Sequence, residues 1–284
     1  MSENRTPLVS IVLPTYNRCN KLPRAIESCL QQTYENIELI VVDDGSSDNT
    51  KAVVENFCTK DARVKYVGKK NAGLPRALNT GFEASSGAFL TWTSDDNEYL
   101  PEAIEKMLAS ALTHTHTALI YSDYWTVTED ANGNESERKH VGFGEHGNLA
   151  QQNIVGACFL YSREIYNTVG QYDPDYALVE DYEYWVRISK QFDLVNISEP
   201  LYLYSFHPES LTSLRTREIK ALAYVVRLKY GLISGGECFK LWRKNLRHAL
   251  KENAGQRLEI FSRIFSRSVK LLLKATPAAS RANQ

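Results

Sequence analysis

The segment IELIVVDDGSSDNT (residues 37–50) decides the fold. An almost unbroken apolar, β-branched run passes straight into two aspartates, Asp43 and Asp44, and a Gly-Ser-Ser turn. Such a run lacks the alternation of a strand with one wet face, so it reads as a strand covered on both sides, the condition of a parallel sheet. Its polar end then acquires a meaning. In an open parallel sheet, ligands bind in the crevice beyond the carboxyl ends of the strands.

Upstream, VSIVLPTYN (9–17) repeats the design, closing on Pro14 and then Thr15, Tyr16 and Asn17. Between the two strands, LPRAIESCLQQ (22–32) puts Leu22, Ala25, Ile26, Cys29 and Leu30 on one helix face. Downstream come a helix from Thr50 to Phe57, a strand VKYVG (64–68), a helix LPRALNTGFEAS (74–85) and a strand AFLTWT (88–93). Strand and helix alternate over the first hundred residues. The expected class is α/β, with a mainly parallel central sheet and helices on both faces.

Beyond Pro101 the pattern loosens into a helix (102–112), a strand (118–128) and a polar turn EDANGNESERK (129–139) that reads as a hairpin tip. A strand-then-helix (157–170) and a second helix (179–192) follow. From residue 215 the signal is helical, and in RLEIFSRIFSRSVKLLLKA (257–275) Arg263, Arg267, Lys270 and Lys274 share a face, with Phe261, Ile264, Phe265 and Leu272 on another.

Charge separates along the same line. Residues 215–284 carry a net +12 and the remainder −13, within a net of −1 for the 284-residue chain. A basic helical tail follows an acidic body. That acidity argues against nucleic acid as a partner, since it opposes phosphate backbones. The five cysteines, an odd number without a C-x-x-C spacing, suggest neither a disulfide framework nor a zinc site, so a reducing, cytoplasmic location is expected. Neither a signal peptide nor an apolar run of about 18 residues is apparent, so no spanning helix is expected.

A second acidic strand end lies in GAFLTWTSDDNEYLP (87–101), where Asp95 and Asp96 adjoin. Adjacent carboxylates at a buried strand end repel and lack water, so they call for a counter-charge. Mg²⁺ or Mn²⁺, held by one or two carboxylates with phosphates and waters completing the shell, supplies one. No G-x-x-x-x-G-K-[ST] or G-x-G-x-x-G loop is present, which disfavours P-loop and dinucleotide sites. On pattern alone, Asp43-Asp44 suits turn chemistry equally well. A helix cap before LPEAIEKM accounts for one of Asp95 and Asp96, not both.

The ordered blocks VSIVLPTYNR, IELIVVDDGSSDNT, NAGLPRALNTGF, GAFLTWTSDDNEYLP and GQYDPDYALVEDYEYWVR resemble the family-2 glycosyltransferases of GT-A fold over roughly residues 8–212. The resemblance implies inverting transfer of a sugar from a nucleoside-diphosphate donor, a UDP-sugar by preference, with Mn²⁺ or Mg²⁺ on the diphosphate. Carried over by position, Pro14 and Tyr16 flank the nucleobase, Asp44 beside Asp43 reads its edge, and Asn17, Asn71 and Arg76 join Asp95 on the donor side. Asp95, Asp96 and His207 are the expected metal ligands. The acidic motif departs from the usual Asp-x-Asp, with Thr93 in its first position, and so is similar to the spore-coat polysaccharide transferases. Arg76 stands two places before the family's usual arginine, at Leu78. Asp181 of the Glu180-Asp181 pair is the implied base, with Glu180 perturbing it; on pattern alone it is a helix-terminal charge.

Processive relatives carry Gln-x-x-Arg-Trp and spanning helices, which are not found here, so one sugar is expected per encounter. The tyrosines and tryptophans of 121–125 and 182–185 suit core packing ahead of acceptor stacking. The expected organisation is a GT-A domain over 1–214, with a nucleotide and metal half (1–100) and an acceptor half (101–214), then a basic helical region (215–284). That region offers a peripheral contact with the inner membrane face, and with it a glycan or lipid-linked saccharide acceptor in surface polysaccharide synthesis. The competing expectation is a catalytically silent sugar-nucleotide binder of the same fold.

Overall fold

In a computed structural model, residues 6–114, 118–129, 135–142, 144, 147–207, 210–252 and 257–275 are described. The chain forms two compact units: Met1–Gly147 with Asn153–Pro174 and Arg187–His207, and Asn148–Gln152 with Asp175–Val186 and Pro208–Gln284.

The first unit runs β1 (Val9–Thr15), α1 (Leu22–Leu30), β2 (Ile37–Asp43), α2 (Thr50–Lys60), β3 (Val64–Gly68), α3 (Leu74–Ala84), β4 (Phe89–Trp92), β5 (Glu98–Tyr99), α4 (Ala103–Thr113), β6 (Ala118–Glu129), β7 (Glu135–Val141), β8 (Phe159–Ser162) and α5 (Arg163–Val169), and after an excursion returns as β9 (Asp193–Phe206). The strands form one sheet in the order β3-β2-β1-β4-β8-β6-β9-β5, with β7 on β6. The expected parallel sheet is the β3-β2-β1-β4 half. Beyond β4 the sheet is mixed: β8 is antiparallel to both β4 and β6, β9 runs parallel to β6, and β5 and β7 are antiparallel edges.

Alternation along β1 explains the helices on both faces. Val9, Ile11 and Leu13 enter one core with Leu22 and Ile26 of α1, Val54 of α2, and Ile104 and Met107 of α4. Val12 and Val42 meet α3 on the other face, at Gly81; a Cβ there would lie 2.3 Å from Val12 Cγ1, so glycine sets the approach of helix to sheet.

A proline inside a central strand also has its reason. Val12 O accepts from Thr93 N and Thr15 O from Asp44 N, so Pro14, two residues after Val12, faces the β4 side. There the β1–β4 ladder has already ended, at Val12–Trp92. The missing N–H forfeits no ladder bond, and β1 and β4 end their pairing where the acidic residues begin.

Two stretches differ from expectation. The strand β9 over 193–206 was not foreseen, and ESERK, read as part of a turn, belongs to the edge strand β7. The hairpin tip, 130–134, lies outside the described residues.

The second unit contains a 3-10 turn ending at Tyr176, the start of α6 (Glu180–Ile188), α7 (Leu211–Lys229), α8 (Gly235–Glu252) and α9 (Arg257–Ala275). Its small core joins Ala221, Leu246 and Ile264, with Trp242 packed against them. Contact groups Glu180 and Asp181 with these helices, whereas charge alone places the division at 214. The side chains of Phe261 and Lys274 lie outside the described residues.

Candidate active site

At the carboxyl ends of the parallel strands, β1 ends in Thr15, β2 in Asp43-Asp44, and β4 runs through Thr93 and Ser94 into Asp95-Asp96. Thr15 Oγ1 donates to Asp95 Oδ2 at 2.7 Å. Asp96 Oδ2 lies 2.9 Å from His207 Nε2, brought in just after β9. Burial, then the neighbouring Asp96 charge, raise Asp95 to about 6, with the Thr15 hydroxyl and Arg18 opposing the shift. Thr93 is not a ligand: its hydroxyl shares a proton with Tyr202 Oη at 2.6 Å inside the core. Asn97, which suits a turn or cap, closes a turn through its amide on Ser94 O at 3.4 Å, and its side chain accepts from Ser205 N at 2.8 Å, tying the acidic loop to β9.

These residues fit a divalent cation that arrives with its substrate. Two carboxylates and an imidazole are suitable donors, the Asp96 charge raises Asp95, and His207 Nδ1 is buried without a hydrogen-bond partner among the described residues. Among the described residues no group of three His, Cys, Asp or Glu side chains forms a cation cage. Asp95 and Asp96 face different partners, so phosphate and water would have to complete a coordination shell.

The second acidic pair anchors the loops around it. Asp44 Oδ1 accepts from Lys69 Nζ at 2.6 Å and Ala72 N at 3.0 Å, and Oδ2 from Gly73 N at 2.8 Å and Ala72 N at 3.2 Å. Three donors, with the Ala72 amide shared between both oxygens, thus make Asp44 an anchor of the 69–73 loop. Asp43 accepts from Ser46 N at 2.8 Å and Tyr66 Oη at 3.0 Å. The 45–47 and 69–72 loops abut at Gly45, whose φ is +85° and whose Cβ, if it had one, would lie 2.8 Å from Asn71 N. Asn17, also at positive φ, accepts from Ser47 N at 2.8 Å.

Pro14, expected to flank a base, is buried opposite Val42, whereas Tyr16 is 49% exposed beside the strand end. Asn71 and Arg76 are exposed, the latter in the first turn of α3, whose N-terminus has no side-chain cap. Thr15 and Lys69 were missed by sequence reasoning. Their partners lie 80 and 25 residues away, which no local pattern records.

In the second unit, Glu180 and Asp181 open α6. Glu180 is 5% exposed, and its Oε2 has no hydrogen-bond partner among the described residues. Burial, then the Asp181 charge, hold Glu180 well above the usual glutamate range, with Arg267 opposing. Asp181 Oδ1 accepts from Tyr182 N at 2.6 Å. Tyr121, Tyr182, Tyr184 and Trp185 are buried as core, while Trp125 is partly exposed and packs on His140, with ring centroids 5.2 Å apart.

The family model described as glycosyl transferase family 2 matches residues 10–170, more than half of the chain. An uncharacterized glycosyltransferase of Rickettsia prowazekii is 27% identical over 222 residues, 76% of this chain and 69% of the relative. One from Haemophilus influenzae is 29% identical over 75% of this chain and 69% of its own. Among solved structures, S. aureus TarS 1-349 in complex with UDP shares 16% identity at a TM-score of 0.61, covering 95% of this chain and 81% of that one. The mannosyltransferase PcManGT of Pyrobaculum calidifontis, in complex with GDP-Man and Mn²⁺, shares 14% identity at 0.60, covering 96% and 86%. The longer TarS chain is spanned to 49% of its length. Sequence pattern and architecture agree with the strand-end acidic site: the chain belongs to glycosyl transferase family 2 and carries the GT-A fold.

Proposed function

We propose that this glycosyltransferase moves one sugar per encounter, with inversion, from a nucleoside-diphosphate sugar to a hydroxyl of a glycan or lipid-linked saccharide. The observation that carries the donor class is the convergence of Asp95 on Thr15 and of Asp96 on His207 at the carboxyl ends of the parallel strands. A uridine donor is favoured because Tyr16 offers an exposed ring at the same edge, and because TarS, of the same fold, is seen with UDP. Arg76 and the uncapped N-terminus of α3 suit diphosphate oxygens.

Asp95, Asp96 and His207 would hold Mn²⁺ or Mg²⁺, which when bound supplies Lewis acidity to the departing diphosphate. Asp181 accepts the acceptor hydroxyl's proton as the oxygen attacks the anomeric carbon from the face opposite the diphosphate. Glu180, biased by burial toward its neutral form, leaves the negative charge on Asp181.

A membrane role belongs to α8 in preference to α9. Lys240, Arg243, Lys244 and Arg247 are exposed on one face of α8 and meet no carboxylate among the described residues, and Phe239 beside them is 62% exposed. Anionic lipid matches that chemistry. No helix among the described residues is long and apolar enough to cross a membrane.

A thermal-shift and calorimetric screen of nucleoside diphosphates with each metal tests the donor site, and UDP with Mn²⁺ is expected to give the largest stabilisation. Asp181→Asn should abolish transfer while UDP binding survives; unchanged turnover removes Asp181 from its role. Vesicles with anionic lipid, but not neutral ones, should sediment the protein, and Lys240→Ser with Lys244→Ser should abolish the effect.

A further inference from the structure

The chain enters α6 through a backbone conformation that an ordinary residue resists. Leu178 sits at φ 80°, in the left-handed region, two residues before Glu180. A bulky non-glycine residue there is strained and persists only where its surroundings over-determine it. Two contacts fix this turn. Val179 N donates to Tyr176 O at 2.8 Å, and Arg267 Nη2, from α9, donates to Ala177 O. The Ala177 carbonyl belongs to the same peptide plane as Leu178 N, so holding that oxygen holds φ of Leu178.

Arg267 is itself immobilised. Its Nη1 lies 3.0 Å from Glu218 Oε1 on α7, a carboxylate only 2% exposed that Arg215 Nη2 and Arg263 Nε also engage, at 2.7 and 3.0 Å. One helical turn on, Lys270 Nζ reaches Asp175 Oδ1 at 2.7 Å, at the start of the same segment. A planar guanidinium can serve Glu218 and the Ala177 carbonyl together; an ammonium, a point donor, cannot span them in the same fixed fork.

We infer that Arg267 is a positioning residue: clamped by Glu218, it holds the Ala177–Leu178 peptide in its left-handed turn and so presents Glu180 and Asp181 at the start of α6. This rests on the assignment of Asp181 as the base. It gives the basic tail a part in the reaction beyond its charge. The residue lies outside the family match, which ends at residue 170.

The test uses the full chain hydrolysing UDP-GlcNAc with Mn²⁺, both at saturation, so that water takes the place of the acceptor hydroxyl. Arg267→Gln is expected to lower kcat at least tenfold with the donor KM within twofold of the native value, and Arg267→Lys to lower it less. Leu178→Gly, which adopts the left-handed conformation without strain, is expected to restore at least threefold of the lost kcat in the Arg267→Gln background. A fold defect alone would not be rescued by added glycine freedom. Values of kcat within twofold of native in both Arg267 variants, or no recovery with Leu178→Gly, overturn the proposal. Hydrogen exchange decides it independently of activity and of whether Arg267→Gln folds fully: the Val179 amide should exchange at least tenfold faster in Arg267→Lys, and native protection there refutes the clamp. If Asp181→Asn turns over normally while Val179 loses protection, the base assignment fails and the clamp stands.

Discussion

Replacing Asp44 by asparagine should loosen the wall of the donor site from within. The substitution removes the charge that pairs with Lys69 Nζ at 2.6 Å, in a place where the two side chains are only 19% and 6% exposed. It also exchanges one acceptor oxygen for an NH₂ group that must face a donor, either Lys69 or the amides of Ala72 and Gly73. A hydrogen bond to a charged group contributes about 1.5–3 kcal/mol, and a buried group left facing the wrong partner costs about 1–3 kcal/mol. Allowing for relaxation of the exposed loop, the expected loss is ~3 kcal/mol, roughly a hundredfold in the folding equilibrium. Urea denaturation followed by tryptophan fluorescence measures it, with an unchanged m-value as the condition for comparing midpoints. UDP titration calorimetry should show affinity reduced tenfold or more, because the 69–73 loop abuts the 45–47 loop at the same strand ends. A stability loss under about 1 kcal/mol with UDP affinity within twofold of native would show that Asp44 does not hold this loop, and would return it to the base-reading role.

Four further outcomes follow from the same geometry. Buried Glu38 accepts from Ser10, Ser86 and Lys65; burial alone would raise its pKa, but Lys65 and the hydroxyl and amide donors outweigh it and bring it to about 2. Because that value is below the unfolded one, its contribution is present above about pH 4.5 and lost as pH falls toward 2; Glu38→Gln should cost about 1–3 kcal/mol at neutral pH and flatten that acid limb in pH-dependent melts. Glu180 shifts the other way, so its contribution is full below the ordinary glutamate range and lost as pH rises through the raised value; Glu180→Gln should lose less Tm than native between about pH 4.5 and 8. Gly45→Ala, at φ +85° and against Asn71 N, should lower stability by about 1–2 kcal/mol in thermal melts and weaken UDP binding. Glu218→Gln leaves Arg215, Arg263 and Arg267 facing one another and should destabilise by about 3–5 kcal/mol, with sulfate restoring more Tm to the variant than to the native protein.

The parts of the fold that were legible in the sequence are those whose environment is uniform. β1 and β2 are covered on both faces, so burial is written into every residue, and α1 shows one clean apolar stripe. β9 was hidden because its environment changes along its length: Asp193 to Glu199 are mostly half exposed, the register shifts near Pro200, and only Leu201, Tyr202 and Ser205 are buried. β7 pairs only with β6 and exposes nearly all of ESERKHV, and a polar edge strand resembles a turn in composition. The site divides in the same manner. Asp95 and Asp96 announce themselves because two adjacent acids at a strand end need an explanation. Asp44 was also visible, but its contacts with Lys69, Ala72 and Gly73 depend on how a later loop folds back. Pattern located the charge; the coordinates add the loop that it holds.

The charge asymmetry resolves into two populations of cations with different work. The first turn of α6 concentrates Glu180, Asp181 and Glu183, a choice the helix dipole favours but mutual repulsion opposes. Cations of the tail answer that repulsion locally: Lys229 lies 3.8 Å from Glu183, Arg227 donates to Tyr182 Oη at 2.9 Å, Arg267 takes the Ala177 carbonyl and Lys270 takes Asp175. Arg263, Arg267 and Lys270, the α9 face that resembled a membrane anchor, are thereby directed at acidic and carbonyl oxygens of their own unit. The exposed stripe of α8 is the second population, the one for which we propose an anionic lipid surface. A basic face read from periodicity alone does not distinguish these two uses. Its partners do, and here they place α9 with the acidic turn that opens α6, whereas the exposed α8 cations meet no carboxylate among the described residues.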